Sequence, residues 1–582
     1  MEPQGVSKVW RIAPESPHVP ALQRELGCTR LLARLLAHRG LADPRDARRF
    51  LDPSYDQLPD PMLLPDAVPA VHRIVRALDR RERIYVHGDY DGDGITAAAL
   101  WTRLLQRLGG DVLVHVPHRR HDGYDLRSRF VDVAREAGAR LIITADCGIQ
   151  RHREVEEARR AGLDVIITDH HEVGAELPKA VAVVNPHRSD SRYPFRDLAA
   201  VGVAYRLGEA IVRYLSLPVA KYRAAFSELA AIGTITDIMP LVEDNRVFVK
   251  AGLGCLSVTR RAGLRALMAQ AGLGGCRAIS SHQVGFVLGP RINAVGRIAD
   301  PRQALDLLLT ADTDEAAALA AELEQANMDR RKEEARILSE AEAALGETGH
   351  NGAPCIVLDD PSWHPGVIGV VANRLCERHG RPTLLVATDT ETGMGRGSGR
   401  SIPAFDLHAA LSECAPLLHE FGGHAYAAGF SIPTADLEQF KEQFVAVASA
   451  RLDGADLRPT LEIDAALPTY DVTRSLMDEL SMLEPWGHAN EEPLLLALGV
   501  QVRSVRAIGK QSQHLKFHVG EPGHDSTEAV LWNAPAEAFK IRAGDVLDIC
   551  YRPSIHAYNG YETLQIRLED IRTSGRTDVA AT

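Results

Sequence analysis

The distribution of hydrophobic and polar positions divides the chain into segments of different predicted structure. From about residue 71 to 250, short runs rich in β-branched residues alternate with helical stretches. The runs 83–87 (RIYVH), 141–145 (LIITA) and 164–168 (DVIIT) predict strands, while 95–108 and 151–161 predict helices. Strands that alternate with helices are typical of a parallel, doubly wound sheet.

The rest of the chain changes pattern several times. Residues 1–70 predict an N-terminal helical region, and 251–350 predict a helical connector whose Ala-, Glu- and Arg-rich part begins near 301. A second, smaller α/β pattern occupies 351–455. Alternating segments such as HLKFHV and ETLQIRL predict a small antiparallel barrel over 456–574, and 575–582 predict a flexible tail. The expected fold class is therefore multidomain α/β with a C-terminal β-barrel.

Composition and charge narrow the function classes. The 582 residues carry a net charge of -12, which argues against a protein that coats nucleic acid by bulk electrostatics but leaves room for an acidic metal cluster. No apolar run approaches the roughly 18 residues of a membrane span, and the first residues lack the apolar stretch of a signal peptide. Eight scattered cysteines without a C-x-x-C pair favour a reducing, cytoplasmic setting.

Acidic and histidine side chains follow several predicted strands and one apolar segment, ELAAIGTITD. Ligands of open parallel sheets bind beyond the carboxyl ends of the strands, so we expect these side chains to converge. So many acids in one place require cations, and mixed Asp and His ligation suits Mn²⁺, Mg²⁺ or Zn²⁺. Two such ions are a standard arrangement for phosphoester hydrolysis. The residues are Asp89, Asp91, Asp93, Asp146, Asp169, His170, His171 and Asp237.

Each motif alone is also compatible with another interpretation. HGDYDGDG is compatible with a solvated Gly/Asp turn, and it loosely resembles the start of a calcium-binding EF-hand loop without the glutamate at loop position 12. GRGSGRS (395–401) is compatible with a flexible surface loop, although such a loop can also cradle a phosphate. The combination of motifs argues for function more strongly than any one of them.

The motifs also carry a family resemblance. HGDYDGDG, ADCG, DHH and the segment ending at Asp237 occur in the order found in the DHH phosphoesterase superfamily, and GRGSGRS followed by FGGHAYAAGF (421–430) resembles its DHHA1 domain. GPRINAVGRI (289–298), WHPGVIGVVANRL (363–375) and LEPWGHANEEP (483–493) are similar to the RecJ-type exonucleases of this superfamily. The last segment departs from the more usual LEPFGxGNPEP at Trp486 and Glu491–Glu492, which affects a turn and leaves the assignment in place.

The resemblance implies a parallel-sheet DHH domain, a DHHA1 domain, an OB-fold barrel and two Mn²⁺ or Mg²⁺ ions. It implies that one ion is held by His87, Asp91 and Asp146, and the other by Asp93, Asp146, His170 and Asp237. The resemblance also implies that Asp89 supports the ligands by hydrogen bonding or approaches a metal directly, that Asp169 orients a histidine, and that His171 contacts the scissile phosphate.

Substrate contacts are expected in four further segments. Arginine suits planar phosphate contacts and base stacking, and aromatic residues grip single-stranded bases. The Gly-rich loop is expected to bind a phosphate at the chain end. The expected contacts are Arg119, Tyr124, Arg291, Asn293, Arg297, Arg396, Ser398, Arg400, Ser401 and His424.

The function implied is a single-strand-specific 5′→3′ exonuclease that releases 5′-mononucleotides in DNA recombination and repair. The implied partners are single-stranded DNA, single-strand-binding protein and a RecQ-type helicase, and the expected state is a monomer. Two alternatives remain at this point: a DHH phosphodiesterase for short oligonucleotides or cyclic dinucleotides, and a non-catalytic scaffold of the same fold.

Overall fold

A computed structural model describes residues 8–119, 122–123, 125–347, 353–558, 561–575 and 579–581. Tyr124 lies outside the described residues. The chain divides into two compact units, and the first comprises residues 41–328 together with 481–492. The second comprises the described parts of 1–40, 329–480 and 493–582. None of the helices in the described ranges is long and apolar enough to cross a membrane.

The first unit is built around a five-stranded sheet in which every pairing is parallel, as the alternating pattern predicts. The three strands expected from the sequence are present, and two short strands flank them. The central strands are buried along most of their length, because helices cover both faces. In spatial order the strands are Asp111–His115, Arg83–Gly88, Ala139–Ala145, Asp164–Thr168 and Ala182–Val184.

Helices surround this sheet and extend well beyond it. The helix Gly92–Arg107 is buried on nearly all sides, since it packs between the sheet and the helices Ala200–Tyr214 and Val219–Thr236. The other helices of the unit are Pro44–Leu51, Ala67–Asp79, Ser128–Glu136, His152–Arg160, Glu243–Leu256, Ala262–Gln270, Ser281–Gln283, the π-helix Val284–Leu288, Gly289–Ile298 and Arg302–Leu309.

The predicted connector is not one continuous helix. It breaks after Arg302–Leu309, and a 35-residue helix, Thr313–Glu347, then begins. The side chain of Asp312 accepts hydrogen bonds from the backbone N–H groups of Asp314 and Glu315, which caps the new helix. The boundary between the two units falls within this helix, at Met328.

The second unit contains a mixed five-stranded sheet in the predicted smaller α/β region. Its spatial order is Glu420–Gly423, Ala427–Pro433, Met394–Arg400, Thr383–Asp389 and Ile356–Asp360, and only the last pair is parallel. The helices of this region are Ile368–His379, Leu407–Glu413 and Leu437–Arg451. The Gly-rich run expected to be a loop is instead the central strand Met394–Arg400, because its backbone pairs on both sides.

The C-terminal strands form a sheet that closes on itself, since Leu495–Ile508 pairs with both His514–Gly520 and Val546–Tyr558. The remaining members are Ala465–Ala466, Thr527–Leu531 and Tyr561–Thr573. The pairing of Thr527–Leu531 with Tyr561–Thr573 is parallel, which differs from the purely antiparallel arrangement expected. The helix Arg474–Ser481 lies in sequence between the strands Ala465–Ala466 and Leu495–Ile508.

Both chain ends differ from the prediction. The N-terminal region contains the helices Val19–Leu26 and Arg30–His38, but it begins with the strand Val9–Ile12. Val579–Ala581, in the predicted flexible tail, pairs in parallel with this strand, and Thr460–Ile463 pairs with its other edge. The buried Trp10 explains the strand, because its indole N–H donates to Asp570 Oδ2 at 2.7 Å and anchors the strand in the second unit.

Candidate metal centre

The loop after the strand Arg83–Gly88 turns tightly because glycines leave no room for side chains. A Cβ on Gly94 would lie 2.6 Å from the backbone nitrogen of Asp89. Asp91 then caps the helix Gly92–Arg107, and its Oδ1 accepts hydrogen bonds of 3.0 Å from the N–H groups of Asp93 and Gly94. The motif therefore presents Asp89, Asp91 and Asp93 at the start of a buried helix.

The strands Ala139–Ala145 and Asp164–Thr168 place further candidate ligands at the same edge of the sheet. Asp146 follows Ala139–Ala145 with a left-handed φ of 69°, a conformation that Asp tolerates better than most residues. Asp169 is fully buried and accepts hydrogen bonds from the backbone N–H groups of Ile149, His170 and His171. It also bonds to Nδ1 of His171 at 2.7 Å, so it orients that ring.

Carboxylates and imidazoles from four segments converge on His170. Its Nε2 lies 3.2 Å from Asp146 Oδ1, 3.5 Å from Asp237 Oδ2 and 4.0 Å from Asp93 Oδ2. Within the described residues, three overlapping groups offer ligand atoms that lie within 4.8 Å of one another. They are Asp146–His170–His171, Asp93–His170–Asp237 and Asp89–Asp91–Asp146.

Several buried polar atoms at this site have no hydrogen-bond partner among the described residues. They include Oδ1 of Asp89, Oδ1 of Asp146 and both ring nitrogens of His87. Unpartnered buried polar groups cost free energy, and binding of a cation would satisfy them. The donor set of carboxylate oxygens and imidazole nitrogens fits Mn²⁺ or Mg²⁺.

The pKa values of the buried carboxyl groups also indicate a cation site. Burial, followed by repulsion from neighbouring carboxylates, raises the pKa of Asp89, Asp146 and Asp237 well above the ordinary value. The same causes raise the pKa of Asp93 to about 7, although its oxygens accept hydrogen bonds from the N–H groups of Ala200 and Val201. Divalent cations would offset this repulsion.

The histidines differ in protonation. Burial, and then the nearby His171, lowers the pKa of His170 to about 3, so its ring is neutral and able to bind metal. Burial also lowers the pKa of His171, but the hydrogen bond to Asp169 and the charges of Asp169, Asp237 and Asp89 together outweigh burial and raise the pKa to about 9. His171 is therefore an imidazolium at neutral pH in the absence of metal.

His87 lies apart from the three ligand groups. It is fully buried, and burial followed by the charge of His115 lowers its pKa to about 3. His115 pairs with it in register on the neighbouring strand, and their rings stack at 5.5 Å between centroids. His115 was not among the residues predicted from the sequence. Its position at the end of a strand next to His87 is the feature that could have identified it as a neighbour of this site.

Two of the expected substrate residues of the first unit, Arg119 and Arg297, lie near Tyr90, the residue between Asp89 and Asp91. The Arg119 guanidinium lies 5.5 Å from the centre of the Tyr90 ring. Burial raises the pKa of Tyr90 to about 12, while Arg119 and Arg297 oppose that rise, which places both arginines near the ring.

Arg291 and Asn293, on the helix Gly289–Ile298, make contacts within the protein. Arg291 forms an ion pair with Glu324 and donates to the carbonyl of Val287 at 2.6 Å. Asn293 accepts a 2.6 Å hydrogen bond from the N–H of Gly92 through its Oδ1. This bond gives Asn293 a structural role in holding the acidic loop.

The expected end-binding residues lie in the second unit. Arg396, Ser398 and Arg400 alternate with glycines along one strand and so share one face. The glycines face a packed core, since a Cβ on Gly397 would lie 2.1 Å from the ring of Phe430. Beyond the strand, the hydroxyl of Ser401 donates to the carbonyl of Phe405 at 2.6 Å, and His424 is exposed.

Comparison with known proteins adds evidence across the chain. Residues 83–234 match the N-terminal domain of the DHH family, 352–452 match the DHHA1 domain, and 463–570 match the RecJ OB domain. The single-stranded-DNA-specific exonuclease RecJ of Bacillus subtilis (strain 168) is 36% identical over 97% of this chain and 71% of its own length. That of Escherichia coli (strain K12) is 32% identical over 93% of this chain and 95% of its own.

A solved structure agrees with these matches. RecJ from Thermus thermophilus in complex with Mn²⁺ superposes with a TM-score of 0.83 at 32% identity, covering 97% of this chain and 79% of that one. The same protein in complex with Mg²⁺ superposes with a TM-score of 0.77. Since the relatives match nearly the whole chain and share its order of domains, the chain belongs to the RecJ family.

Proposed function

We propose that this chain is a metal-dependent exonuclease specific for single-stranded DNA, which degrades the strand from its 5′ end and releases 5′-mononucleotides. The observation that carries the proposal is the buried cluster around His170, whose carboxylates repel one another unless cations are bound. The family supports the substrate, since its relatives are named as single-stranded-DNA-specific exonucleases.

The residues that fit two Mn²⁺ or Mg²⁺ ions form two neighbouring sets. Asp89, Asp91 and Asp146 form one set, and we assign His87 to it because its ring nitrogens are buried and unpartnered among the described residues. The other set is Asp93, His170 and Asp237. Asp146, a member of the first set, also lies close to His170 of the second. Divalent cations held there would lower the pKa of an attacking water and offset the charge of the phosphate oxygens.

The protein's own side chains position the reacting groups. Asp169 accepts the hydrogen of His171 Nδ1, which leaves the Nε2–H of His171 to face a phosphate oxygen. The side chain of His171 is 38% exposed, so a substrate can reach it. In this proposal the Nε2–H of His171 donates to a phosphate oxygen and stabilises the negative charge that develops there during hydrolysis.

Recognition of the 5′ end is assigned to the strand Met394–Arg400. Two guanidiniums and a hydroxyl on one face suit a terminal phosphate, because Arg binds phosphate oxygens in a bidentate manner. Arg119, Arg297 and Tyr124 are proposed to bind the strand near the cleaved bond. Arg291 and Asn293 are proposed to act on the substrate indirectly, through the contacts that they make within the protein.

The cellular setting is a further part of the proposal. We propose a cytoplasmic monomer that works with single-strand-binding protein and a RecQ-type helicase in recombination and repair. The cysteines support a reducing compartment, because all eight are free thiols. Size-exclusion chromatography with light scattering tests the monomer, and pull-down with the purified partners tests the interactions.

Substrate range tests the proposal. With Mn²⁺ present, a long single strand should be digested much faster than the matching blunt duplex. Dinucleotides should not be cleaved faster than long strands. Rapid cleavage of dinucleotides, or equal rates on single strand and duplex, would contradict the proposed function.

A further inference from the structure

The segment Ser481–Glu492 belongs to the first unit, although the residues on both sides of it belong to the second. We call this segment the strap. It contains most of the run LEPWGHANEEP, which carries part of the family resemblance but received no role among the expected site residues. Side-chain and backbone hydrogen bonds hold the strap to the first unit.

One buried arginine anchors the first half of the strap. Arg246, on the helix Glu243–Leu256, is 1% exposed. Its guanidinium donates hydrogen bonds to three consecutive strap carbonyls, Met482, Leu483 and Glu484, at 3.2, 2.9 and 2.9 Å. A buried guanidinium that binds consecutive carbonyls fixes the path of the backbone, because losing any of these bonds would leave a desolvated charge.

The second half of the strap is closed on itself. Asn490 is fully buried, and its Nδ2 donates to the carbonyls of Leu483 and Pro485, both at 2.8 Å. Gly487 and Asn490 exchange two backbone hydrogen bonds of 3.0 Å. The strap therefore forms a rigid loop, and it is held from outside by Ser281, whose hydroxyl donates to the carbonyl of Trp486 at 2.5 Å.

This rigid loop contacts the segment that follows Asp237. The N–H of Leu241 donates to the strap carbonyl of His488 at 2.8 Å. A Cβ on Gly487 would lie 2.6 Å from Cδ1 of the buried Leu241, so the two segments pack without space for a methyl group. Only residues 238–240 lie between Asp237 and Leu241, so the strap contacts the chain close to Asp237.

The segment 238–242 also makes bonds of its own. The N–H groups of Ile238 and Met239 donate to the carbonyls of Ile235 and Thr234, both at 3.1 Å, and Asn245 Nδ2 donates to the carbonyl of Pro240 at 3.0 Å. Ile238 nevertheless adopts a left-handed φ of 57°, which is unfavourable for a β-branched residue, and the residue is 72% exposed. The strap adds the contact at Leu241.

We propose that the strap is a positioning element for the metal ligand Asp237, so that affinity for the ion held by Asp93, His170 and Asp237 depends on the packing of Gly487 against Leu241. The inference rests on the proposed function only in taking Asp237 as a metal ligand. Supporting contacts of this kind typically change metal affinity about 10–100-fold.

The test measures Mn²⁺ binding to the full-length, chelator-treated protein by calorimetry and by electron paramagnetic resonance, so it does not depend on nuclease activity. Gly487→Ala should weaken one of two Mn²⁺ sites about tenfold or more and leave the other unchanged. Leu241→Ala removes the atoms that the new methyl group would meet most closely and leaves the Cβ of Leu241 at 3.9 Å. The double variant should therefore regain most of the lost affinity.

A matched control is Gly254→Ala, on the same helix as Arg246, where a Cβ meets nothing within 4 Å. It should bind Mn²⁺ like the wild type. Ser281→Ala gives a second variant, and it should weaken the same site by a smaller factor. With DNA as substrate, Gly487→Ala should raise the Mn²⁺ concentration needed for half-maximal activity, and saturating Mn²⁺ should restore kcat.

Two results would overturn the inference: a lowered melting temperature with unchanged Mn²⁺ binding in Gly487→Ala, or equal weakening of both sites. Its failure is distinguishable from failure of the proposed function. A wild-type protein that binds two Mn²⁺ ions but does not degrade DNA would contradict the function alone. Unaltered Mn²⁺ binding in Gly487→Ala, in an active enzyme, would contradict the strap alone.

Discussion

Replacing Asp146 by Asn tests the metal centre most sharply, because the change removes one charge and little else. Asp146 is 2% exposed, and its Oδ1 lies 3.2 Å from His170 Nε2 and 3.7 Å from His171 Nδ1. Asn has nearly the same volume and tolerates the left-handed backbone at this position. The variant should therefore fold like the wild type.

The expected loss follows from the number of ligand groups that contain Asp146. Removing one preorganised electrostatic group from an active site typically lowers turnover about 10²–10³-fold. Asp146 belongs to two of the three groups of ligand atoms, so we expect a larger loss, of about 10⁴-fold, equivalent to about 5 kcal/mol.

Single-turnover digestion of labelled single-stranded DNA at saturating Mn²⁺ measures this loss. Stability should change in the opposite direction without metal. Burial and repulsion by Asp93 raise the pKa of Asp146, so a neutral Asn should raise the melting temperature of the chelated protein. Asp453→Asn, at an exposed position, should change neither quantity. Activity of Asp146→Asn close to that of the wild type would refute the reasoning.

Three further predictions concern the acidic loop, the metal-free protein and the second unit. Asn293→Ala should lower turnover about 10–100-fold, because it releases the N–H of Gly92; single-turnover kinetics measure this. The chelated protein should lose stability as pH rises from about 4 to about 7, since over this range the folded state keeps a proton on Asp93, with a pKa of about 7, that the unfolded chain releases near pH 4; thermal melting should show a larger gain on adding Mn²⁺ at the higher pH. Gly397→Ala should destabilise the second unit by about 1–3 kcal/mol, because its methyl group would overlap Phe430; chemical denaturation measures this.

Two of these predictions have matched controls. Asn373→Ala, in the second unit, where the side chain donates to Glu377 on the same helix, should leave turnover unchanged. Gly422→Ala should leave stability unchanged, because a Cβ there meets nothing within 4 Å. A chelated protein that becomes more stable as pH rises would contradict the assignment of raised carboxyl pKa values.

Much of the centre could be predicted from local sequence because it obeys a rule of parallel sheets. Strand periodicity identified the strands, and the residues just after them had to lie at one edge. Asp89, Asp146 and His170 converge for this reason. His115 was not identified, although it lies at the end of a strand in the same sheet, because a single histidine there had no partner in the sequence pattern.

Contacts between distant segments account for what could not be predicted. The glycines of the strand Met394–Arg400 look like loop residues, yet Gly397 is required by the ring of Phe430 on the neighbouring strand. Asn293 bonds to Gly92, 201 residues away in sequence. The pairing of Val579–Ala581 with Val9–Ile12 joins the two ends of the chain. No local pattern carries such information.

Two properties define the proposed enzyme: its buried acidic cluster binds Mn²⁺ or Mg²⁺, and it degrades single-stranded DNA from the 5′ end. The most direct measurement is digestion of one single-stranded oligonucleotide, labelled at the 5′ end in one sample and at the 3′ end in another, before and after chelation. We expect the 5′ label to appear first, as a mononucleotide, and only when Mn²⁺ or Mg²⁺ is present. Release of the 3′ label first, or undiminished digestion after chelation, would contradict it.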